Sequence, residues 1–496
     1  MTVGEVLAGA RLKSALPEGL AEATVAGLDY DSRRIGKGCL FFAFPGQRVD
    51  GRAFAGQALA KGALAVVSES PPPQGFEGTW LAVEHGRQAL ALAARDFYQR
   101  PDQRIALTGI TGTNGKTTTA YLVDSILRAA GKTTALVSTI EYRLAGEIRA
   151  AANTTPESLD ALRLLAELNQ RGGTHATMEV SSHGLALARV YGLQFHTAVF
   201  SNLTRDHLDF HGSMAEYFAA KRRLFEGAGA PPPRVAAINH DDPYGRRIPA
   251  APQTEVLWYG LEQGAAVRAR NVAAGFEGVR MDVEIGGQRF PVSSPLPGRM
   301  NVYNILAACC AAWSFGIAPE TIAAGVAACA AVPGRFEKVE EGQPFLVVVD
   351  YAHTDAALRN AIAVARGLKP KRVITLFGCG GDRDRAKRPL MGEAAGELSD
   401  FAVLTSDNPR SEDPLDIIND ALVGLRRHDV EHAVEPDREK AIRRAIAEAR
   451  AGDIVIIAGK GHETYQVLKD RTIAFDDREV ARRVLRQFGY GGKSGV

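Results

Sequence analysis

Thr111-Gly112-Thr113-Asn114-Gly115-Lys116-Thr117-Thr118 stands between a short apolar run, Arg104-Ile105-Ala106-Leu107-Thr108, and a stretch at about 117–130 that Gly131 stops. Leu122, Val123, Ile126 and Leu127 give the second stretch one apolar face, which predicts a helix. Strand, glycine loop and helix in that order suit a phosphate group. Successive backbone N–H groups and the helix N-terminus face its oxygens, Lys116 supplies a point charge, and Thr117 can hold Mg²⁺. The expected nucleotide set is Gly112, Thr113, Asn114, Gly115, Lys116, Thr117 and Thr118. The spacing departs from the strict Walker form, because Ile110 stands six before Lys116 and the nearest glycine is Gly109.

Outward from this loop, strand-like runs at 134–137, 176–180 and 197–201 alternate with helical stretches, the pattern of a doubly wound, mostly parallel sheet. Ahead of it, apolar runs at 39–44 and 63–67 and a helix at 87–98 read as a small α/β unit. After Val332-Pro333-Gly334 the pattern restarts, with buried-strand runs at 345–349, 373–377, 402–405 and 454–457. The fold class is therefore α/β in three domains. These are a small N-terminal α/β domain (1–100), a central P-loop-type doubly wound domain (101–333) and a C-terminal Rossmann-like domain (334–496), with a hinge expected near Pro333-Gly334.

Across 496 residues, 59 Lys+Arg balance 57 Asp+Glu for a formal net charge of +2, and 46% hydrophobic with 23% charged residues is ordinary for a globular protein. That balance gives no argument for nucleic acid or a membrane surface as partner. The start of the chain lacks a basic region ahead of an apolar core, and no apolar run nears the roughly 20 residues a bilayer needs. Five cysteines without CxxC spacing point to a reduced, cytoplasmic protein. A monomer is expected.

Glu179 and His207 each follow a strand-like run, at the edge where open α/β sheets bind ligands, and could hold a divalent cation against the phosphates. Either alone is more often structural. Ser213-Met214-Ala215-Glu216 reads as a capping box, so a helix begins there, with Tyr217, Phe218, Leu224 and Phe225 as its apolar stripe. Lys221 lies three or four residues from each of them. A lysine centred on a buried face has a lowered pKa and can capture CO₂ as an anionic carbamate; a snorkelling lysine fits the spacing equally well.

Three third-domain loops follow strand-like runs: Gly378-Cys379-Gly380-Gly381-Asp382-Arg383-Asp384, Asp407-Asn408-Pro409-Arg410 and Gly459-Lys460-Gly461-His462-Glu463. All three project from one sheet edge, where guanidinium groups can clamp a carboxylate and acids an ammonium.

The variant loop at 111–118 resembles the ATP loop of the Mur ligases and folylpolyglutamate synthetases. Four more segments fit the Mur ligase family in order: Met178-Glu179-Val180-Ser181-Ser182-His183, Asn202-Leu203-Thr204-Arg205-Asp206-His207-Leu208-Asp209, Gly298-Arg299-Met300-Asn301-Val302-Tyr303-Asn304 and Asp350-Tyr351-Ala352-His353. The resemblance implies an ATP-dependent amide ligase with two Mg²⁺ ions. Thr117, Glu179, His207 and a carbamylated Lys221 would be metal ligands, with Lys116 catalytic and Asn301 and Asp350 against the nucleotide. It implies that Asn153, Thr154, Thr155, Ser181 and Arg189 touch UDP-MurNAc-L-Ala-D-Glu. Asp31-Ser32-Arg33 and Gly46-Gln47-Arg48-Val49-Asp50-Gly51 look like its uridine-diphosphate loops. Leu187 replaces a glutamine that some relatives carry.

Asp407, Asn408, Pro409 and Arg410 resemble the signature of family members that add meso-diaminopimelate, and Arg383, Gly459 and Glu463 are carried over with them. A lysine-adding member or another Mur or folylpolyglutamate-type ligase is the alternative within the class. A P-loop NTPase switch is the alternative outside it, and it leaves Lys221 without a role.

Overall fold

The computed structural model describes residues 1–46 and 49–491; Gln47 and Arg48 of the expected uridine-diphosphate loop, and the tail 492–496, lie outside the described residues. The chain forms two compact units, one of 1–268 with 306–325, the other of 269–305 with 326–496.

The first unit opens with a four-stranded parallel sheet, Gly27–Asp29, Cys39–Phe42, Ala65–Ser68 and Trp80–Ala82 in that order. Its second sheet places Ala106–Thr111 between Thr197–Phe200 and His175–Glu179, all parallel, with Thr134–Val137 beyond the latter and Val235–Asn239 and Glu255–Gly260 beyond the former. The expected doubly wound arrangement is present. Two antiparallel strands, Glu141–Leu144 and Glu147–Ala150, extend it to an exposed edge. The last is charged: Arg149 pairs with Glu147 and Glu167, and Arg171 with the same two acids.

The loop-proximal strand begins at Ala106 rather than Arg104, because Arg104 closes a 3-10 turn, Pro101–Gln103. Separate cores for 1–100 and 101–333 were expected from length. One face of the small sheet has such a core, Ile35, Phe41, Ala43, Ala55, Ala58 and Val66, whereas its other face joins an apolar core that runs from Leu40, Phe42 and Val67 through Leu90 and Ala94 to Leu162, Leu165, Met178 and Phe200. The alanine-rich face of helix Gly86–Phe97 allows its close packing on helix Ser158–Gln170. Truncating a leucine such as Leu162 there costs about 2–5 kcal/mol.

The second unit centres on a six-stranded sheet ordered Glu337–Val339, Leu346–Asp350, Ile454–Ala458, Val373–Cys379, Phe401–Ser406, Glu431–Val434, parallel except for its first strand. Alternate strand residues enter opposite cores: Val348, Phe377, Leu404 and Ile456 on one face, Val347, Leu376, Val403 and Ile457 on the other. Gly334 belongs to this packing. Its amide donates to Glu337 and its carbonyl accepts from Tyr351, and at φ +64° an added Cβ would lie 2.1 Å from the His462 nitrogen. The residue named in the expected hinge thus packs within this unit.

Among the described residues no helix is long and apolar enough to cross a membrane, and all five cysteines are free thiols.

Candidate active site

Parallel register puts Thr111 beside Phe200 and Ile110 beside Glu179, so the loop after Thr111 opens where the neighbouring strands also end. Gly112 is required there: at φ +148° its Cβ would sit 1.9 Å from Ser201 Oγ. Asn202 holds the next turn, accepting the Thr113 amide on its carbonyl and the Asn114 amide on Oδ1, both at 2.9 Å. Two amides expected to face phosphate are thus committed to Asn202. Gly115 then turns at φ +86° into helix Lys116–Ala129, whose first turn carries Thr117 and Thr118. The Thr113 hydroxyl lies 3.1 Å from Tyr217 OH and donates to the Thr204 carbonyl.

Two lysines converge on the Gly112 carbonyl. Lys116 Nζ donates to it at 3.0 Å and to the Thr113 carbonyl at 2.9 Å; Lys221 Nζ donates to it at 2.7 Å. Lys221 is 1% exposed, in helix Met214–Glu226 capped by Ser213, with the Tyr217 ring 4.6 Å from its ammonium. Burial, and then the nearby Lys116 charge, push its pKa well below the ordinary lysine value, against the pull of Asp206. Of the two readings that the spacing left open, the buried amine with a lowered pKa is the one present, and the snorkelling lysine is not.

Glu179, the last residue of its strand, is fully buried. Its carboxylate accepts from the Thr117 hydroxyl at 3.0 Å, the Thr139 amide at 2.8 Å and the Thr139 hydroxyl at 3.1 Å. Buried carboxylate and hydroxyl oxygens are hard donors of the kind Mg²⁺ takes, so Glu179 and Thr117 fit that ion. His207 does not end a strand as expected. It lies seven residues past Phe200, left-handed at φ +51°, with its ring 4.9 Å from His183. The ring is half exposed; the protein around it, with Lys116 and Lys221, lowers its pKa against Asp206 and Asp209, which favours the neutral form that can ligate.

Thr155, Ser181 and Arg189 are brought together. Thr155 Oγ1 donates to the Glu179 carbonyl and lies 3.1 Å from Ser181 Oγ, and Arg189 donates to the Thr155 carbonyl at 3.0 Å. Thr154 reaches Thr139 through its hydroxyl, whereas Asn153 is exposed and its carbonyl accepts from Tyr142. Ser32 is buried against Gln57 in the first small sheet. His240, Asp241 and Glu262 bring three ligand atoms within 4.8 Å of one another. Asp241, however, already accepts the Leu261 and Glu262 amides, so this group is assigned no role.

In the second unit, Asp350, Cys379, Ser406 and Ala458 end parallel strands at one edge, as the three loops require. Asn301 Nδ2 donates to the Pro297 carbonyl. Asp350 accepts the Phe336 and Ala352 amides; burial raises its pKa against the nearby Arg335. Arg383 is exposed beside Asp382, and Arg410, at φ +52°, donates to the Gly381 carbonyl at 2.7 Å. Pro409 packs its carbonyl where a Gly381 side chain would go, and the Gly459 amide donates to the Asp350 carbonyl.

The acids expected to wait for an ammonium already have one. Lys460, fully buried, lies 3.6 Å from Asp407 and 3.3 Å from Glu463 and donates to Asn408 Oδ1 at 3.0 Å. Asn408 in turn donates to the same Glu463 oxygen, Oε2. Arg438, missed because its helix reads as a charged surface stretch, is completely buried on Asp477 and donates to the Ser406 and Ala458 carbonyls, tying two strand ends together. A lysine between two glycines at a strand end was the available signal for Lys460.

Family models for the Mur ligase family catalytic domain, the Mur ligase middle domain and the Mur ligase glutamate ligase domain match residues 24–98, 110–312 and 334–461. The chain belongs to the Mur ligase family. It is 67% identical over 490 residues, 99% of each chain, to a Solibacter usitatus protein named UDP-N-acetylmuramoyl-L-alanyl-D-glutamate--2,6-diaminopimelate ligase. It is 45% identical, over 94% of this chain and 96% of the other, to a Geobacillus kaustophilus protein of the same name. A solved structure of a ligase with that name matches with a TM-score of 0.70 at 33% identity, covering 96% of this chain and 98% of that one.

Proposed function

We propose that this chain is an ATP-dependent amide ligase that joins meso-diaminopimelate to the D-glutamate γ-carboxylate of UDP-MurNAc-L-Ala-D-Glu, a step of peptidoglycan precursor synthesis. The observation that carries the chemistry is the convergence of Lys116 and Lys221 on the Gly112 carbonyl, at the strand ends where Thr117 meets Glu179. The similarity to ligases named for these substrates supports the choice of substrates. The division into 1–100 for UDP, 101–333 for ATP and 334–496 for the amino acid follows the same reading, and five free thiols suit a cytoplasmic setting.

The γ-carboxylate attacks the γ-phosphorus of ATP, the bond to ADP breaks, and an acyl phosphate results. Lys116 leaves its carbonyls for phosphate oxygens and offsets charge as the phosphoryl group transfers. Thr117 would hold one Mg²⁺ ion and Glu179 with His207 a second, carbamylated Lys221 adding an anionic ligand, and the ions would supply further charge neutralisation. As a desolvated neutral amine, Lys221 is the form that adds to CO₂, releasing one proton. Arg189 orients the peptide from beside Thr155 and Ser181. The free amine of diaminopimelate then attacks the acyl carbon, and the tetrahedral intermediate expels phosphate. Arg383 and Arg410 suit the distal carboxylate, which lysine lacks, and Glu463 retains Oε1 for the distal ammonium.

ADP release measured with UDP-MurNAc-L-Ala-D-Glu and Mg²⁺, in parallel with meso-diaminopimelate, L-lysine and no amino acid, tests this. Turnover with diaminopimelate alone is expected. Turnover with lysine would overturn the reading of Arg410, and equal release in all three would overturn the ligase.

A further inference from the structure

Glu157 caps no amide of the helix it precedes, Ser158–Gln170, although it stands at the N-cap position. Its carboxylate is instead shared by two arginines. Arg87 NH1 donates to both oxygens, at 2.7 and 2.6 Å, and Arg189 Nε lies 2.9 Å from Oε1, an ion pair whose angle is not that of a hydrogen bond. The three side chains are 15%, 10% and 18% exposed for Arg87, Glu157 and Arg189. Arginine stays protonated in proteins, so two guanidiniums on one carboxylate leave an excess positive charge in a mostly dry place.

The clasp has two arms. On one side Arg189 also holds the Thr155 carbonyl, next to Ser181. On the other, the Arg87 guanidinium lies 4.3 Å over the Phe44 ring, which stacks on Tyr30. Phe44 follows strand Cys39–Phe42, and its carbonyl accepts the Gly51 amide. Tyr30 adds a parallel tie, its hydroxyl donating to Asp160 at 2.5 Å. A continuous set of contacts thus joins the loop expected to take uridine diphosphate to the arginine expected to take the peptide.

Resting on the function above, we propose that Glu157 and Arg87 are positioning residues for the UDP-MurNAc-dipeptide: Glu157 fixes the Arg189 guanidinium, Arg87 ties it to the Phe44 loop, and the excess charge accepts a substrate carboxylate. Among the described residues, the Glu157 and Arg87 side chains bond to none assigned above to ATP or diaminopimelate, so the effect of their loss is expected on one substrate.

The test is steady-state kinetics of the full-length enzyme and of E157Q, R87A and R87K, varying each of the three substrates. E157Q and R87A are expected to raise KM for UDP-MurNAc-L-Ala-D-Glu about 10- to 100-fold, the weight of a lost charged hydrogen bond. Their kcat and their KM for ATP and diaminopimelate stay within about threefold of the parent. R87K, keeping the charge but losing the two-oxygen grip, falls between. An unchanged KM for the dipeptide, or equal changes in all three KM values, overturns the proposal while leaving the ligase reading intact; a parent enzyme that does not turn over overturns the ligase reading first. Should E157Q or R87A not fold, R87K decides: less than a threefold rise in dipeptide KM is a refutation.

Discussion

In the first unit Lys221 is buried against a neutral carbonyl and a tyrosine face; in the second, Lys460, Arg438 and Arg388 are buried against carboxylates. Both units hide cations, yet of these four only Lys221 has no ion pair among the described residues. A matched pair holds a scaffold in place. An unmatched amine is high in energy as an ammonium, which makes it reactive and receptive to anions. On the proposed function, the contrast separates a residue that reacts from residues that support.

The sharpest way to break the comparison is Lys221→Ala. If the amine works through a carbamate, ADP release falls about 10³-fold, comparable to losing a strong transition-state contact, and rigorous CO₂ removal lowers parent activity in the same assay. Retained activity would make Lys221 a scaffold residue like the others. Next in size, Arg438→Met leaves Asp477 buried without its partner and should cost about 3–5 kcal/mol, read as a lower denaturant midpoint. Arg410→Lys removes a planar donor pair and should lower kcat/KM for diaminopimelate about 10- to 100-fold, with ATP KM unchanged.

The smallest effect has the opposite sign. Because burial and Lys116 depress Lys221, the unfolded chain binds a proton there that the folded chain refuses at pH values below the ordinary 10.5. This site therefore disfavours folding at neutral pH and ceases to do so as pH rises toward 10.5. Lys221→Met should raise the unfolding midpoint at pH 7 and lose that advantage near pH 10, whereas Arg438→Met destabilises at both.

Much of this was legible in the sequence because it depends on local order. Strand, glycine loop and helix give the phosphate loop; helical spacing puts Lys221 on a buried face; three strand-end loops share an edge because their strands are parallel. What was not legible depends on partners far along the chain. Asn202 takes the Asn114 amide from 88 residues away, and Arg438 meets Asp477 across 39. Lys460 was visible as a residue, but its capture of Asn408 and Asp407 depends on how two loops approach, which no local pattern encodes. The shared core of 1–100 and 101–333 was missed for the same reason, since length sets how much core is possible and not where it is continuous.

The charged edge strand Glu147–Ala150 has a consequence for the protein in concentrated solution. Its outer side is where another chain could add as a further strand, and Ile148, 63% exposed, offers an apolar foothold. Arg149 and Arg171, bound to Glu147 and Glu167, keep a strongly hydrated ribbon around it, so that growth from this edge would have to strip charge from water. Replacing Glu147 and Arg149 by threonine should leave turnover intact and make the protein scatter light at concentrations where the parent stays clear.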